Sequence, residues 1–256
     1  MSAEVRLGRW QDALADVAPG TIICDPPYGA RTHRGDESAR AIQTDNAYVT
    51  AIDFPCWTRD DVHEFCRSWL PRTERWLVAM TSHDLVPHWE EAIEDVDWYS
   101  FAPLAAVISG MGVRQLADGP ASWVVHLVVA RRRAKRLGDS EDKIWRSLPG
   151  GYTGPATAGM AGGRGKPPWL LDALVRDYSD AGHLVCDPFA GWGSTLVAAR
   201  NAGRNAIGAE MDPAAFERCQ HALSGDMAAY ARAAPKRERE ADPDRPGLFD
   251  AIGGAR

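Results

Sequence analysis

The sequence is short of three things, and each shortage removes a class of protein. No apolar stretch approaches the ~20 residues of a membrane span, and Met1-Ser2-Ala3-Glu4-Val5 has no signal-peptide character. Cytoplasmic residence is therefore the expectation. Cysteine is scarce: five among 256 residues, an odd number with no repeated spacing, which speaks against a disulfide framework. Cys24 and Cys186 fall in apolar runs that read as buried strands. Cys56, His63 and Cys66 lie close together, but no fourth ligand accompanies them, so core packing accounts for them better than zinc, and no metal is expected. Net positive charge is also missing, since 29 Lys and Arg stand against 35 Asp and Glu, a balance of −6. The overall charge gives a polyanion nothing to gain, so any nucleic-acid contact has to come from local clusters.

What is present fits one large α/β domain with a comfortable core. Hydrophobic residues at 45% and charged ones at 25% are ordinary for a globular chain. Strand signals cover residues 4–7, 21–24, 75–80, 99–108, 122–130, 184–186 and 205–209, and helix signals cover 11–17, 60–69, 83–94, 169–178 and 196–199. Thr58 is placed to cap the helix that begins near Asp60. The run 122–130 is almost continuously apolar and reads as a strand buried on both faces. Such alternation predicts a doubly wound, mostly parallel Rossmann-like sheet with helices on both faces. Ligands of these sheets sit at the carboxyl ends of the strands.

Two of those strand ends carry chemistry. The run Thr21-Ile22-Ile23-Cys24 is followed by Asp25-Pro26-Pro27-Tyr28. Each proline fixes φ near −65° and lacks an N–H, so the Asp25 and Pro26 carbonyls can be held stiffly. A carboxylate, a stiff carbonyl and a flat ring together suit a planar exocyclic amine, which has two N–H donors and an aromatic face. An ordinary strand-ending turn would use the same residue types.

The second strand end is Leu184-Val185-Cys186, continuing as Asp187-Pro188-Phe189-Ala190-Gly191-Trp192-Gly193-Ser194-Thr195 and then a helical pattern. Gly191 and Gly193 permit a tight strand-to-helix turn with close backbone approach, as in nucleotide-binding βα units. The next strand ends in Glu210, where an acid usually grips a ribose hydroxyl pair. Strand, glycine turn, helix, strand and acid in register form a specific signal.

Taken together, these motifs resemble the amino-methyltransferases that use S-adenosylmethionine. Asp25, Pro26, Pro27 and Tyr28 look like the family's catalytic motif, and residues 187–195 look like its cofactor loop. Gly165-Lys166-Pro167 is similar to the segment that covers the methionine end of the cofactor. The order, catalytic motif first and cofactor loop last, is that of the circularly permuted beta class of bacterial and phage DNA methyltransferases. The likeness spans residues 5–222. One departure is Gly8-Arg9-Trp10-Gln11-Asp12, where the family often has Gly-Asp.

The resemblance implies S-adenosylmethionine as cofactor, held by Lys166, Pro167, Asp187, Pro188, Phe189, Ala190, Gly191, Gly193, Ser194, Thr195 and Glu210. It implies DNA as partner and a flipped base as substrate. Asp at the first motif position is commoner in relatives acting on adenine N6 and Ser in those acting on cytosine N4, so adenine is expected and cytosine N4 is the alternative. Two basic clusters are candidates for phosphate contact: Arg31, His33 and Arg34 beside the catalytic motif, and Arg131, Arg132, Arg133, Lys135 and Arg136 farther on. The second cluster reads equally as a solvated strand end.

The organisation that follows is a catalytic half over residues 1–131, a short variable target-recognition segment over 132–163, a cofactor-binding half over 164–232 and a disordered tail over 233–256. Residues 29–47 read as a mobile loop at the catalytic edge. About thirty residues is small for a recognition domain, which leaves relaxed sequence preference or recognition shared within a homodimer. The tail's Gly247-Leu248-Phe249-Asp250 is weakly similar to a clamp-docking peptide, against an inert tail. An oxidoreductase would also use a glycine turn and an acid, but the usual third glycine is missing and residues 25–28 would go unexplained. A catalytically silent DNA-binding protein on the same scaffold is the remaining alternative.

Overall fold

The computed structural model describes residues 1–32, 55–110, 123–133, 147–156 and 165–225. Nine strands form one sheet: β1 (Ala3–Leu7), β2 (Thr21–Cys24), β3 (Trp76–Thr81), β4 (Trp98–Ser100), β5 (Leu104–Ser109), β6 (Val124–Arg132), β7 (Gly151–Pro155), β8 (Leu184–Asp187) and β9 (Asn205–Glu210). Six described helices accompany them: α1 (Trp10–Ala13), α2 (Arg59–Trp69), α3 (Val86–Glu94), α4 (Pro168–Tyr178), α5 (Ser194–Asn201) and α6 (Pro213–Ser224).

The strand order is β1-β9-β8-β2-β3-β6-β5-β7, with β4 also pairing β6. The block β1-β9-β8-β2-β3 is parallel throughout, as is the pair β5-β7. All three antiparallel pairings involve β6. The expected mostly parallel sheet is therefore present, but the apolar run of β6 enters it antiparallel.

Side-chain alternation along the strands divides the core by sequence half. One face packs Ile22, Cys24, Leu77, Ala79 and Ala209 with Val62, Phe65 and Trp69 of α2 and Trp89 and Ile93 of α3. The opposite face packs Ile23, Val78, Met80 and Val185 with Leu170, Leu171 and Leu174 of α4 and Leu196 of α5. Helices α2 and α3 thus cover one side and helices α4 and α5 the other.

Several local expectations are corrected. The helix expected over 11–17 is one turn, Trp10–Ala13; Trp10 docks edge-on against Phe65 at 5.5 Å and the chain then leaves the helical path. The single strand expected over 99–108 is two, because Pro103 removes a ladder donor between β4 and β5. Both halves pair the same edge of β6. The segment expected to be variable contains β7, which pairs β5 in parallel, and its Gly154 lies so close to the Trp169 indole that a Cβ there would approach it to 2.5 Å. Thr58 caps α2 as expected, with Asp61 completing a capping box. His63 is buried between Glu91 of α3 and Asp95 just after it, at 3.5 and 3.3 Å, and Cys66 is also buried. The 33–47 part of the expected loop and the 233–256 tail with its Leu-Phe peptide lie outside the described residues.

Candidate active site

The Asp-Pro-Pro-Tyr turn and the glycine-rich loop meet because their strands are neighbours. β2 pairs β8 in parallel, with Ile22 opposite Cys186, so Asp25 and Asp187 both emerge at the carboxyl edge of the sheet. They line one cavity of about 240 Å³ together with Lys166, Phe189, Ala190, Gly191, Ser194, Thr195 and Glu210. Pro167, Pro188 and Gly193 are not among its lining residues. Met80, Gly165, Leu171, Trp192, Asp212 and Ala215 also line it; Gly165 and Trp192 belong to the motifs read from sequence, and the other four carried no signal there. None of residues 8–12 lines it, so the departure at Gly8 to Asp12 does not reach the cavity.

The cofactor loop is built on close approach. Gly193 has φ of 83°, and a Cβ there would come within 2.6 Å of the Cys219 sulfur on α6. A side chain at Gly193 is thus opposed by both conformation and packing. On β9, a Cβ at Gly208 would meet the Asp187 carbonyl at 2.8 Å, so this small residue lets the turn sit down on the sheet. Glu210 then fastens the loop: its carboxylate accepts the N–H of Gly191 at 2.8 Å and that of Asp212 at 2.8 Å. Burial raises the Glu210 carboxyl above its ordinary value, and these N–H bonds draw it partly back.

Asp187 is almost fully enclosed. Burial pushes its carboxyl up to about 7; hydrogen bonds from Thr195 and the Phe189 N–H oppose the rise, and the charges of Asp25 and Glu210 add to it. The Phe189 bond is 3.0 Å long.

The catalytic motif holds an ion pair. The Lys166 ammonium donates to Asp25 Oδ2 and lies 5.2 Å from the centre of the Tyr28 ring. Burial disfavours the charged ammonium, but the Asp25 carboxylate and Tyr28 outweigh this and raise its pKa above the ordinary value. Burial, then the Asp25 charge, raise that of the Tyr28 hydroxyl. Asp25 Oδ1 is buried without a hydrogen-bond partner, and the Tyr28 hydroxyl is buried beside Lys166 and Asp25. Lys166, expected over the methionine end of a cofactor, lines the shared cavity and pairs there with Asp25 of the Asp-Pro-Pro-Tyr turn.

Three supporting residues had no signal in the sequence. Gly29 donates its N–H to Ser82 Oγ at 3.0 Å, and a Cβ on Gly29 would collide with Asp84 at 2.3 Å. Trp57 donates its backbone N–H to the Tyr28 carbonyl at 3.1 Å. Its ring meets Phe189 edge-on at 5.3 Å and stacks on Trp89 at 5.9 Å. Trp57 thereby ties the catalytic turn to the cofactor loop.

The basic residues separate. Arg31 is exposed near the catalytic turn, its N–H reaching Asp84 Oδ2 at 3.4 Å. Arg131, Arg132 and Arg133 are not at the cavity. Because β6 is antiparallel to β3, Arg131 pairs Trp76 at the start of β3, the sheet edge opposite Asp25. Arg132 donates to the carbonyls of Thr73 and Pro71 at 3.0 and 2.7 Å, Arg131 lies over Trp76 and Phe101 at about 6 Å, and Arg133 pairs Asp97 at 3.4 Å. His33, Arg34, Lys135 and Arg136 lie outside the described residues.

The chain is similar in structure to M1.HpyAVI in its complex with SAM, with a TM-score of 0.61 at 15% identity, covering 86% of this chain and 98% of that one. It is also similar to PvuII DNA methyltransferase, which is cytosine-N4-specific, with a TM-score of 0.58 at 12% identity, covering 91% and 93%. The fold is a methyltransferase fold. Residues 142–221 match the N6/N4 methyltransferase family model, described as DNA methylase. A type II methyltransferase of Methanothermobacter thermautotrophicus, M.MthZI, is 54% identical over 43 residues, which is 17% of this chain and 12% of that relative. Within this methyltransferase fold, no described helix is long and apolar enough to cross a membrane.

Proposed function

We propose that the chain is an S-adenosylmethionine-dependent DNA methyltransferase acting on the exocyclic N6 amine of a flipped adenine. The observation that carries the reading is the shared cavity: the carboxylate of an Asp-Pro-Pro-Tyr turn and a glycine-rich loop backed by Glu210 face each other across adjacent parallel strands. The matched family model and the methyltransferase folds of similar shape support the same class.

The residues present fit such a cofactor. Asp25, Asp187, Glu210 and Asp212 supply acceptors to a ligand carrying positive charge and hydroxyls, while Met80, Phe189, Trp192 and Leu171 supply apolar wall. When bound, S-adenosylmethionine provides a methyl group already activated by its sulfonium. The chain's own part is alignment, a contribution that can reach ~7–11 kcal/mol in favourable cases. The Asp25 carboxylate, whose Oδ1 is buried without a hydrogen-bond partner, accepts one proton of the target amine, and the Pro26 carbonyl accepts the other. With both protons held, the nitrogen lone pair is drawn out of ring conjugation and pointed into the cavity. Tyr28 offers its ring to the extruded base and offsets part of the unstacking cost of a few kcal/mol.

DNA approaches the carboxyl edge, where Arg31 is exposed. Adenine rests on the Asp at the head of the motif; cytosine N4 would use the same two acceptors. Long-read sequencing of DNA from a methylation-free host expressing the chain tests both. A modified adenine at a defined sequence, lost in Asp25→Ala, is the expected result. A modified cytosine replaces the substrate and keeps the mechanism, and unmodified DNA refutes the reading.

A further inference from the structure

The two features that the mechanism reserves for the target base are already in use. Lys166 occupies Asp25 Oδ2 and stands over the Tyr28 ring. An ammonium resembles the target in the one respect that matters here, since it brings N–H donors to the Asp25 carboxylate and positive potential to an aromatic face. It also leaves Asp25 Oδ1 buried and unpartnered, so it satisfies only part of what the site offers. Lys166 is well placed to come and go. It sits immediately before α4, whose start is fixed by Pro167 and Pro168, and follows Gly165, where an added Cβ would meet nothing closer than Ser194 Oγ at 3.7 Å. A long, flexible side chain therefore projects from a fixed point into the cavity.

We infer that Lys166 is a place-holder for the target base: its ammonium occupies the amine-accepting site on Asp25 and Tyr28 in the free protein and is displaced when the base enters. In the free protein the pair keeps a half-buried carboxylate compensated, at side-chain exposures of 15% for Lys166 and 30% for Asp25, and holds the Tyr28 ring in place. The consequence is a competition. An extruded base has to displace the ammonium, so stray amines and unflipped DNA meet a closed site. The apparent affinity for an extruded base is lowered by the fraction of molecules in which the site is free.

The inference rests on the proposed function, and the test separates the two. Once the recognition sequence is known, 2-aminopurine at the target position of a duplex reports extrusion by fluorescence. Lys166→Met keeps the aliphatic stem and removes the charge. If the ammonium fills the site about nine-tenths of the time, the extrusion equilibrium should rise about tenfold in the variant, and Lys166→Arg should retain the block. Unchanged extrusion in Lys166→Met, with calorimetric affinity for S-adenosylmethionine strongly reduced, would overturn the inference and assign Lys166 to the cofactor.

A second readout needs no DNA chemistry. Pulse acetylation with isotopic acetic anhydride, read by mass spectrometry, should label Lys166 slowly in the intact protein and several-fold faster in Asp25→Asn. Equal labelling in the two proteins would overturn the inference, because the ammonium would not be held by Asp25. If the wild type methylates no DNA yet Lys166 is protected by Asp25, the ion pair stands and the proposed function is what has failed.

Discussion

Replacing Asp187 by Asn should stabilise the protein at neutral and alkaline pH while weakening the site. Asp187 is 3% exposed, and its carboxyl is raised from 3.8 to about 7, chiefly by burial. Between roughly pH 4 and pH 7 the folded protein keeps a proton there that the unfolded chain has released. The folded state thus binds more protons across that window, and stability falls as pH rises. At about 1.36 kcal/mol per pH unit, the interval from 3.8 to about 7 amounts to at most about 4 kcal/mol. Asn is nearly isosteric and keeps an oxygen to accept the Phe189 N–H, and its amide can still reach Thr195, so packing is conserved while the titration is removed. Urea unfolding of both proteins, from about pH 4 to pH 8, should give curves that converge at the acid end and separate as pH rises. Above pH 7 the variant should be the more stable. Taking the difference between the two curves removes the contribution of titrating groups that do not interact with Asp187, leaving Asp187 with its coupling to Asp25 and Glu210. Calorimetry at pH 8 should meanwhile show weaker binding of S-adenosylmethionine to the variant, the trade of stability for function common at active sites. Parallel stability curves across the whole window would refute the reasoning, because Asp187 would then not be a buried carboxyl with raised proton affinity.

Glu210→Ala should weaken cofactor binding by roughly 1–3 kcal/mol, the range for leaving buried partners unsatisfied, because the N–H groups of Gly191 and Asp212 lose their acceptor; unchanged affinity by calorimetry would separate Glu210 from the ligand. Trp57→Ala should cost about 3 kcal/mol in chemical denaturation, the low end for removing a large aromatic, and should raise the KM for cofactor through the lost Phe189 contact. Arg31→Ser should flatten the salt dependence of DNA binding by up to about 0.9 in the log–log slope, whereas the double change Arg131→Ser and Arg133→Ser, at the opposite sheet edge, should leave that slope unaltered.

Periodicity and punctuation in the sequence determine most of the sheet. Strand signals at 21–24, 184–186 and 205–209 become β2, β8 and β9, the last two each one residue longer, because strands buried on both faces are largely apolar. Thr58 and Asp61 announce the start of α2 through their own local hydrogen bonds. The Asp-Pro-Pro-Tyr and glycine-loop motifs are legible for the same reason: each is contiguous, and its chemistry depends on neighbours in the chain. What the sequence could not decide is everything set by distant pairings. The direction of β6 is one such case, since an apolar strand looks the same parallel or antiparallel, yet it sends Arg131 to Arg133 to the far edge. The strand β7 is another, hidden in a glycine-rich stretch and recognisable only beside β5. Ser82 and Asp84 stand some fifty residues from the turn they brace. Lys166 stands 141 residues from the carboxylate it holds. Those contacts exist only because β2 lies between β8 and β3, and strand order is a property of the packed sheet rather than of any local stretch of chain.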